Sequence, residues 1–173
     1  NHKKKGEENV LRVFVGEGDA YALLTRAVRE VWGLDALPGI ARLPGGKPVF
    51  PDHPDRHFSL SHSGPLALCA LSDRPVGADI EVIRPRSAGL PAYVYKGAEY
   101  ERFLSLGGDW SAFYTLWTET ESILKYTGEG LKALRRAALP DGCVLTGLSG
   151  EGWRGAVCGR EKTAILYENL KKT

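Results

Sequence analysis

The chain has 173 residues, a formal net charge of +2 and 43% apolar residues, enough for one domain of ordinary size or two small lobes sharing a core. Such a balance excludes a disordered or fibrous chain, and no stretch approaches the roughly 20 apolar residues of a membrane span. The charge is too weak for a nucleic-acid binder, so the basic run "HKKKG" at 2–6 and the C-terminal lysines read as solvated tails.

Asn1 is not expected to be a native start, since the chain holds no methionine, and residues 1–8 are expected to be a disordered or tag-derived tail. "GDAYALLTRAVREVWGL" (18–34) predicts a helix: Asp19 can cap it, and Leu23, Leu24, Ala27, Val28 and Val31 recur at helical spacing. "PGIARLPGGKPVFPDHPDRH" (38–57) is too rich in Pro and Gly for anything but a loop or irregular extended chain. "HFSLSHSG" (57–64) follows, its "SHS" read as a turn, and "PLALCALSD" (65–73) reads as a buried strand.

"PVGADIEVIRP" (75–85) reads as the next strand, with Val76, Ile80, Val82 and Ile83 as strand formers. Beyond it, "RPRSAGLPAYVYKG" (84–97) reads as a loop and "AEYERFLSL" (98–106) as a short helix. The longest helical pattern is "GGDWSAFYTLWTETESILKYTGEGL" (107–131), capped by Asp109 and stopped by Gly128. "CVLTGLS", "WRGAVCG" and "TAILYENL" close the chain as short strands. Helix, strands, helix, strands predicts an α+β architecture of two similar lobes, 9–74 and 75–173. Cys69, Cys143 and Cys158 are odd in number and lack C-x-x-C spacing. Reduced thiols are expected, and with no legible signal peptide a cytoplasmic location.

Asp79 and Glu81 stand two apart on the 75–85 strand and therefore share a face, while Ile80 points away. Two like charges on one face mark either a solvated strand edge or a hard-cation site, since Mg²⁺ is commonly held by carboxylates together with substrate phosphates. In the long helix Phe113, Trp117, Glu121 and Lys125 are spaced by four and stack on one face. Glu121 and Lys125 suit a surface ion pair. They also suit a magnesium–phosphate site, if the helix packs beside the strand that carries Asp79 and Glu81.

"FSLSHSG" (58–64), "PVGADIE" (75–81) and "LWTETESILKYTGEGL" (116–131), in that order and spacing, resemble the 4′-phosphopantetheinyl transferases of the two-lobed type that acts on carrier proteins. "GGKPVFPD" (45–52) and "WRGAVCG" add weaker support. The resemblance implies that family's fold, with its lobes in a pseudo-twofold arrangement. It also implies Mg²⁺-dependent transfer of the 4′-phosphopantetheine arm of coenzyme A to a serine of an apo acyl or peptidyl carrier protein, with release of 3′,5′-ADP. By motif match Asp79, Glu81 and Glu121 are metal ligands, and Glu121 is also a general base. Lys125 contacts the phosphates and supports the leaving ADP. Ser61 and His62 hold the coenzyme A phosphates, although His62 also reads as a loop or capping histidine, and Lys47 lies near the nucleotide. The expected partners are coenzyme A and the carrier protein, with no nucleic acid and no membrane, and the protein is expected to be a monomer.

Two features depart from the family pattern. Thr120 stands where the family has lysine, so a cation is missing or comes from Arg102 or Arg42. Basic residues before the first helix have no clear match, Arg12 and Arg26 being poor candidates. These departures leave a second reading: a catalytically weak relative that binds coenzyme A or a carrier protein. Other Mg²⁺-dependent phosphoryl or nuclease chemistry leaves "SHSG" and G-K-P without a role. The segment 84–104 offers Leu90, Tyr93, Val94, Tyr95 and Phe103 beside Arg84, Arg86, Lys96 and Arg102. It is expected to dock the carrier, with core filling the alternative for its aromatics.

Overall fold

The computed structural model describes residues 10–130, 137–161 and 164–170; the tail expected over 1–8 lies outside them. The elements in chain order are β1 (Val10–Glu17), α1 (Ala20–Trp32), β2 (Ala41–Arg42), β3 (Pro48–Val49), β4 (His57–Ser63), β5 (Leu66–Ser72) and β6 (Val76–Val82). Then come α2 (Leu90–Val94), α3 (Ala98–Ser105), α4 (Trp110–Thr127), β7 (Cys143–Gly150), β8 (Trp153–Arg160) and β9 (Ala164–Leu170). The α+β expectation is met.

Both long helices begin and end where their sequences dictate. The carboxylates of Asp19 and Asp109 accept the N–H groups of Ala22 and Ala112, each at 2.9 Å, which satisfies donors that a first helical turn cannot pair internally. Gly33 and Gly128 close the helices in the left-handed conformation.

The strands form a four-stranded sheet in the order β4-β5-β1-β9, a three-stranded sheet β6-β8-β7, and the small ribbon β2-β3. β1 pairs antiparallel with β5 and parallel with β9. The chain thus forms four layers. α1 buries Leu23, Leu24 and Val28 against Phe14, Phe58 and Cys69 of the larger sheet. The other face of that sheet, through Leu11, Val13, Val15 and Leu68, packs on Val76, Ile80, Trp153 and Val157 of the smaller one. α4 covers the far side, where Ile123 meets Cys143 and Cys158. All three cysteines are buried free thiols.

Three local readings are corrected. β1 was not anticipated, although Leu11, Val13 and Val15 alternate toward the inter-sheet core with Arg12 between them. "SHS" is not a turn: it ends β4, and the chain reverses at Gly64 (φ 53) instead. The presumed loop 84–97 contains the single-turn helix α2, started by Pro91 within its first turn. The boundary expected at 74/75 is also crossed by β9, which returns from the end of the chain to the sheet of the N-terminal half.

Candidate functional site

Why α4 lies against β6 is explained by one residue. Gly77, Asp79 and Glu81 share the face of β6 opposite Val76, Ala78 and Ile80, which enter the core. A Cβ at Gly77 would stand 2.1 Å from the carbonyl oxygen of Ser122 and 2.3 Å from the amide nitrogen of Tyr126. The bare glycine lets the backbone of α4 rest on the strand, and the next two residues of that face are the acids. α4 in turn presents Trp117, Glu121 and Lys125 on one stripe, with Trp117 stacked on buried Phe113 at 5.9 Å between ring centroids.

A cleft of about 740 Å³ opens where α4, β4, β6 and the 42–48 loop meet. Asp79, Glu81, Glu121 and Lys125 line it, together with Ser61, His62, Lys47 and Arg42. The residues singled out from the sequence are therefore brought to one place. Among the described residues, however, no group of three or more Asp, Glu, His or Cys side chains closes to metal-binding proximity.

Lys125 does not pair with Glu121. Its ammonium donates to Asp79 Oδ1 and to the carbonyl of Leu60, both at 3.1 Å. Asp79 is 5% exposed, and its Oδ1 also accepts the hydroxyl of Ser61 at 2.8 Å. Its Oδ2 is buried with no hydrogen-bond partner among the described residues. A buried, unpartnered carboxylate oxygen is costly, and here it belongs to a carboxylate facing the cleft that Glu81 and Glu121 also line. Burial pushes the Asp79 carboxyl above its ordinary range, against the pull of Lys125 and Ser61. Glu81 and Glu121 are likewise raised, first by burial and then by the charge of Asp79. Three hard oxygen donors in one another's field, one with an orphaned oxygen, fit a divalent cation such as Mg²⁺.

The same field yields a stability prediction. Glu121→Gln is expected to raise the melting temperature of chelator-treated protein at neutral pH. The folded-state pKa of Glu121 lies above the unfolded one, so the folded chain binds the proton more tightly. The cost of the charge is present above the folded pKa and vanishes below the unfolded value, so the gain should disappear near about pH 4. Scanning fluorimetry at the two pH values checks this; an equal shift at both would remove Glu121 from the field of Asp79.

Lys47 and Ser61, expected near the nucleotide and at the coenzyme A phosphates, both line the cleft, with their polar groups engaged within the protein. Lys47 lines the cleft with its stem, but its ammonium turns inward and donates to the carbonyls of Tyr126 (2.8 Å) and Val76 (3.4 Å). It thereby tethers the G-K-P loop to the C-terminal end of α4, where cations are favoured, and burial lowers its pKa. The hydroxyl of Ser61 is committed to Asp79 and to the N–H of Ile80. His62 is exposed at the cleft.

Of the two arginines considered in place of a lysine at 120, Arg102 is taken by a two-pronged pair with Glu119. Arg42 stands on the cleft wall, donating to Gly46 O at 2.9 Å and to the Tyr21 hydroxyl at 3.3 Å. Thr120 is not among the lining residues. Arg42 had only a G-K-P neighbour five positions away to flag it in sequence, and Tyr21 had no signal beyond its place in the first turn of α1.

The 4′-phosphopantetheinyl transferase superfamily matches residues 75–146, from the residue before β6 into β7. Over 130 residues the chain is 32% identical to a 4′-phosphopantetheinyl transferase of Bacillus subtilis, covering 72% of this chain and 55% of that one. Over 88 residues it is 41% identical to the 4′-phosphopantetheinyl transferase Sfp of Bacillus subtilis (strain 168), covering 50% and 39%. A third relative is the 4′-phosphopantetheinyl transferase HetI of Nostoc sp., 38% identical over 97 residues and covering 51% and 41%. The chain thus spans about half or less of the length of the relatives it matches. Asp79, Glu81, Glu121 and Lys125 all lie inside the stretch that matches the 4′-phosphopantetheinyl transferase superfamily, the family this chain resembles.

Proposed function

We propose that this protein moves the 4′-phosphopantetheine arm of coenzyme A to a serine hydroxyl of an apo acyl or peptidyl carrier protein, in the manner of a holo-carrier-protein synthase. One observation carries the reading: Asp79, Glu81, Glu121 and Lys125 line a single cleft, with Asp79 buried and one of its oxygens unpartnered. Asp79, Glu81 and Glu121 would hold Mg²⁺, which when bound supplies charge neutralisation for the pyrophosphate of coenzyme A.

Phosphoryl transfer leaves the protein mostly positioning and electrostatic work. Glu121, with its proton affinity raised by burial and by Asp79, is the base that takes the serine proton as the hydroxyl oxygen bonds to the β-phosphorus. The bond from that phosphorus to the bridging oxygen breaks, and 3′,5′-ADP leaves carrying the electron pair. Lys125 and Arg42, which line the cleft, would meet phosphate oxygens, and His62 lies open at the same wall.

The reading takes the protein as a cytoplasmic monomer without nucleic-acid or membrane partners. Its three buried free thiols are compatible with a reducing compartment. Among the described residues no helix is long and apolar enough to cross a membrane. One long helix per sheet, α1 on one and α4 on the other, supports two lobes in a pseudo-twofold arrangement divided near 74/75; β9 is the strand that departs from it.

Incubation with coenzyme A, Mg²⁺ and a panel of apo carrier proteins, read by mass spectrometry, tests the activity: the expected result is one phosphopantetheine added per carrier. Binding of coenzyme A without loading of any carrier would favour the weak binding relative instead.

The carrier is taken to dock on the segment 84–104. Tyr95 and Phe103 are core residues, packed on Phe113 and on each other, and Arg102 serves Glu119. Tyr93 is 78% exposed with the Lys96 ammonium over its ring, and Leu104 and Leu106 are exposed nearby in sequence. The aromatic cluster under this surface extends to Trp117 on the cleft wall. Charge reversal at Arg86 and Lys96 is expected to raise the KM for carrier protein and leave that for coenzyme A unchanged, with the unsubstituted rate falling as salt rises. An equal rise in both constants would assign the segment to the nucleotide.

A further inference from the structure

β6 is the edge strand of its sheet, and an edge leaves N–H groups unpaired. β4 is likewise an edge of the larger sheet, and the two edges meet through side chains. Ser59, Ser61 and Ser63 alternate on one face of β4. Their hydroxyl oxygens accept the N–H groups of Ala78 (2.9 Å), Ile80 (3.1 Å) and Val82 (3.0 Å), so the two strands advance in step. A serine hydroxyl that accepts still has one proton to give. Ser61 gives it to Asp79 Oδ1 at 2.8 Å and Ser63 to Glu81 Oε2 at 3.0 Å. Ser59 has no carboxylate; its nearest acceptor is the carbonyl of Ala78 at 3.5 Å.

We propose that Ser63 is a positioning residue for the carboxylate cluster: held by the N–H of Val82, its hydroxyl fixes Glu81 in the orientation that receives a divalent cation. Ser61 does the same for Asp79. The proposal rests on the cation reading of the three carboxylates. A glutamate has three side-chain torsions to fix, and half-buried Glu81 has no other hydrogen-bond partner among the described residues. Ser63 therefore carries that ordering alone. Groups that orient metal ligands change cation affinity by about 10- to 100-fold when removed.

Ser59 supplies the internal control, since it makes the same seam contact to β6 without touching an acid. The experiment measures Mn²⁺ affinity by electron paramagnetic resonance of the free ion, Mn²⁺ standing in for Mg²⁺ at oxygen ligands. It uses the unsubstituted chain, Ser63→Ala, Ser63→Thr and Ser59→Ala, with a thermal melt of each. Ser63→Ala is expected to weaken Mn²⁺ at least about tenfold. Ser63→Thr, which keeps the hydroxyl, should stay near the unsubstituted affinity, and Ser59→Ala should lose melting temperature but not affinity. If Ser63→Ala binds as well as the unsubstituted chain, or loses no more than Ser59→Ala, the ladder is only a seam and the proposal fails. A threonine variant as weak as alanine removes the role from the hydroxyl. Absence of Mn²⁺ binding by the unsubstituted chain overturns the carboxylate reading itself, a distinct result.

Discussion

Alanine at Asp79 or at Glu121 is expected to lower the rate of arm transfer at saturating coenzyme A by more than about a hundredfold, because removing groups that merely orient a metal ligand already costs about 10- to 100-fold. The two positions fail for different reasons. Asp79 is held rigidly, by Ser61 on one side and Lys125 on the other, with an oxygen to spare for a cation. Its loss also frees Lys125 from its only carboxylate partner among the described residues. Glu121 makes no hydrogen bond among the described residues, and burial and Asp79 dispose it toward a proton. Under the proposed function, its loss would remove both an oxygen ligand and the base. Steady-state loading of an apo carrier protein with varied Mg²⁺ separates them, since excess Mg²⁺ should recover none of the proton transfer at Glu121→Ala. Retention of more than about a tenth of the rate by either variant would overturn the ligand assignment.

Gly77→Ala is the second large effect expected, and it acts from outside the chemistry. The three atoms nearest the added methyl are all backbone, at 2.1 Å for Ser122 O, 2.3 Å for Tyr126 N and 2.8 Å for Tyr126 Cα. No side chain can swing away, so α4 or β6 must shift. Overpacking of this kind costs about 1–3 kcal/mol, and a clash with backbone belongs at the upper end. The shift also carries Glu121 and Lys125 away from Asp79 and Glu81. A displacement of about 1 Å at a reacting centre can cost about a hundredfold in rate. Urea unfolding and loading rate should fall together. The matched control is Gly147→Ala in β7, where an added Cβ meets nothing within 4 Å and the change should stay within about 0.5 kcal/mol. Equal stability of the two variants would mean that the close approach of α4 to β6 does not depend on the glycine.

α1, α3, α4 and most of the strands were legible because their signals are local. Asp19 and Gly33 bracket α1, Asp109 and Gly128 bracket α4, and each cap is a contact within four residues. The two-residue period of β6 placed Asp79 with Glu81 and sent Ile80 to the core. The four-residue period of α4 lined up Phe113, Trp117, Glu121 and Lys125. β1 was missed because a short apolar run with a glycine at its end carries little weight alone. β4 was misread because "SHS" has turn-forming residues, whereas its serines are there for the edge of β6.

What the sequence determined by itself, then, is the set of chemical groups and the faces they occupy, since those follow from backbone periodicity. The partners of those groups were decided only by the tertiary structure. Lys125 looked like the mate of Glu121 four residues before it, yet it crosses to Asp79, because Gly77 brings β6 within reach and a buried carboxylate gains more from an ammonium than a half-buried one does. Lys47 was read as lying near the nucleotide; it lines the cleft, and its ammonium turns to the carbonyl of Tyr126 at the end of α4. Ser61 and Ser63 were read as part of a turn, with Ser61 toward phosphate, yet they join two sheet edges and donate to two acids. Each choice depends on which side chain is desolvated beside which partner, and desolvation is a property of the packed chain rather than of any segment of it.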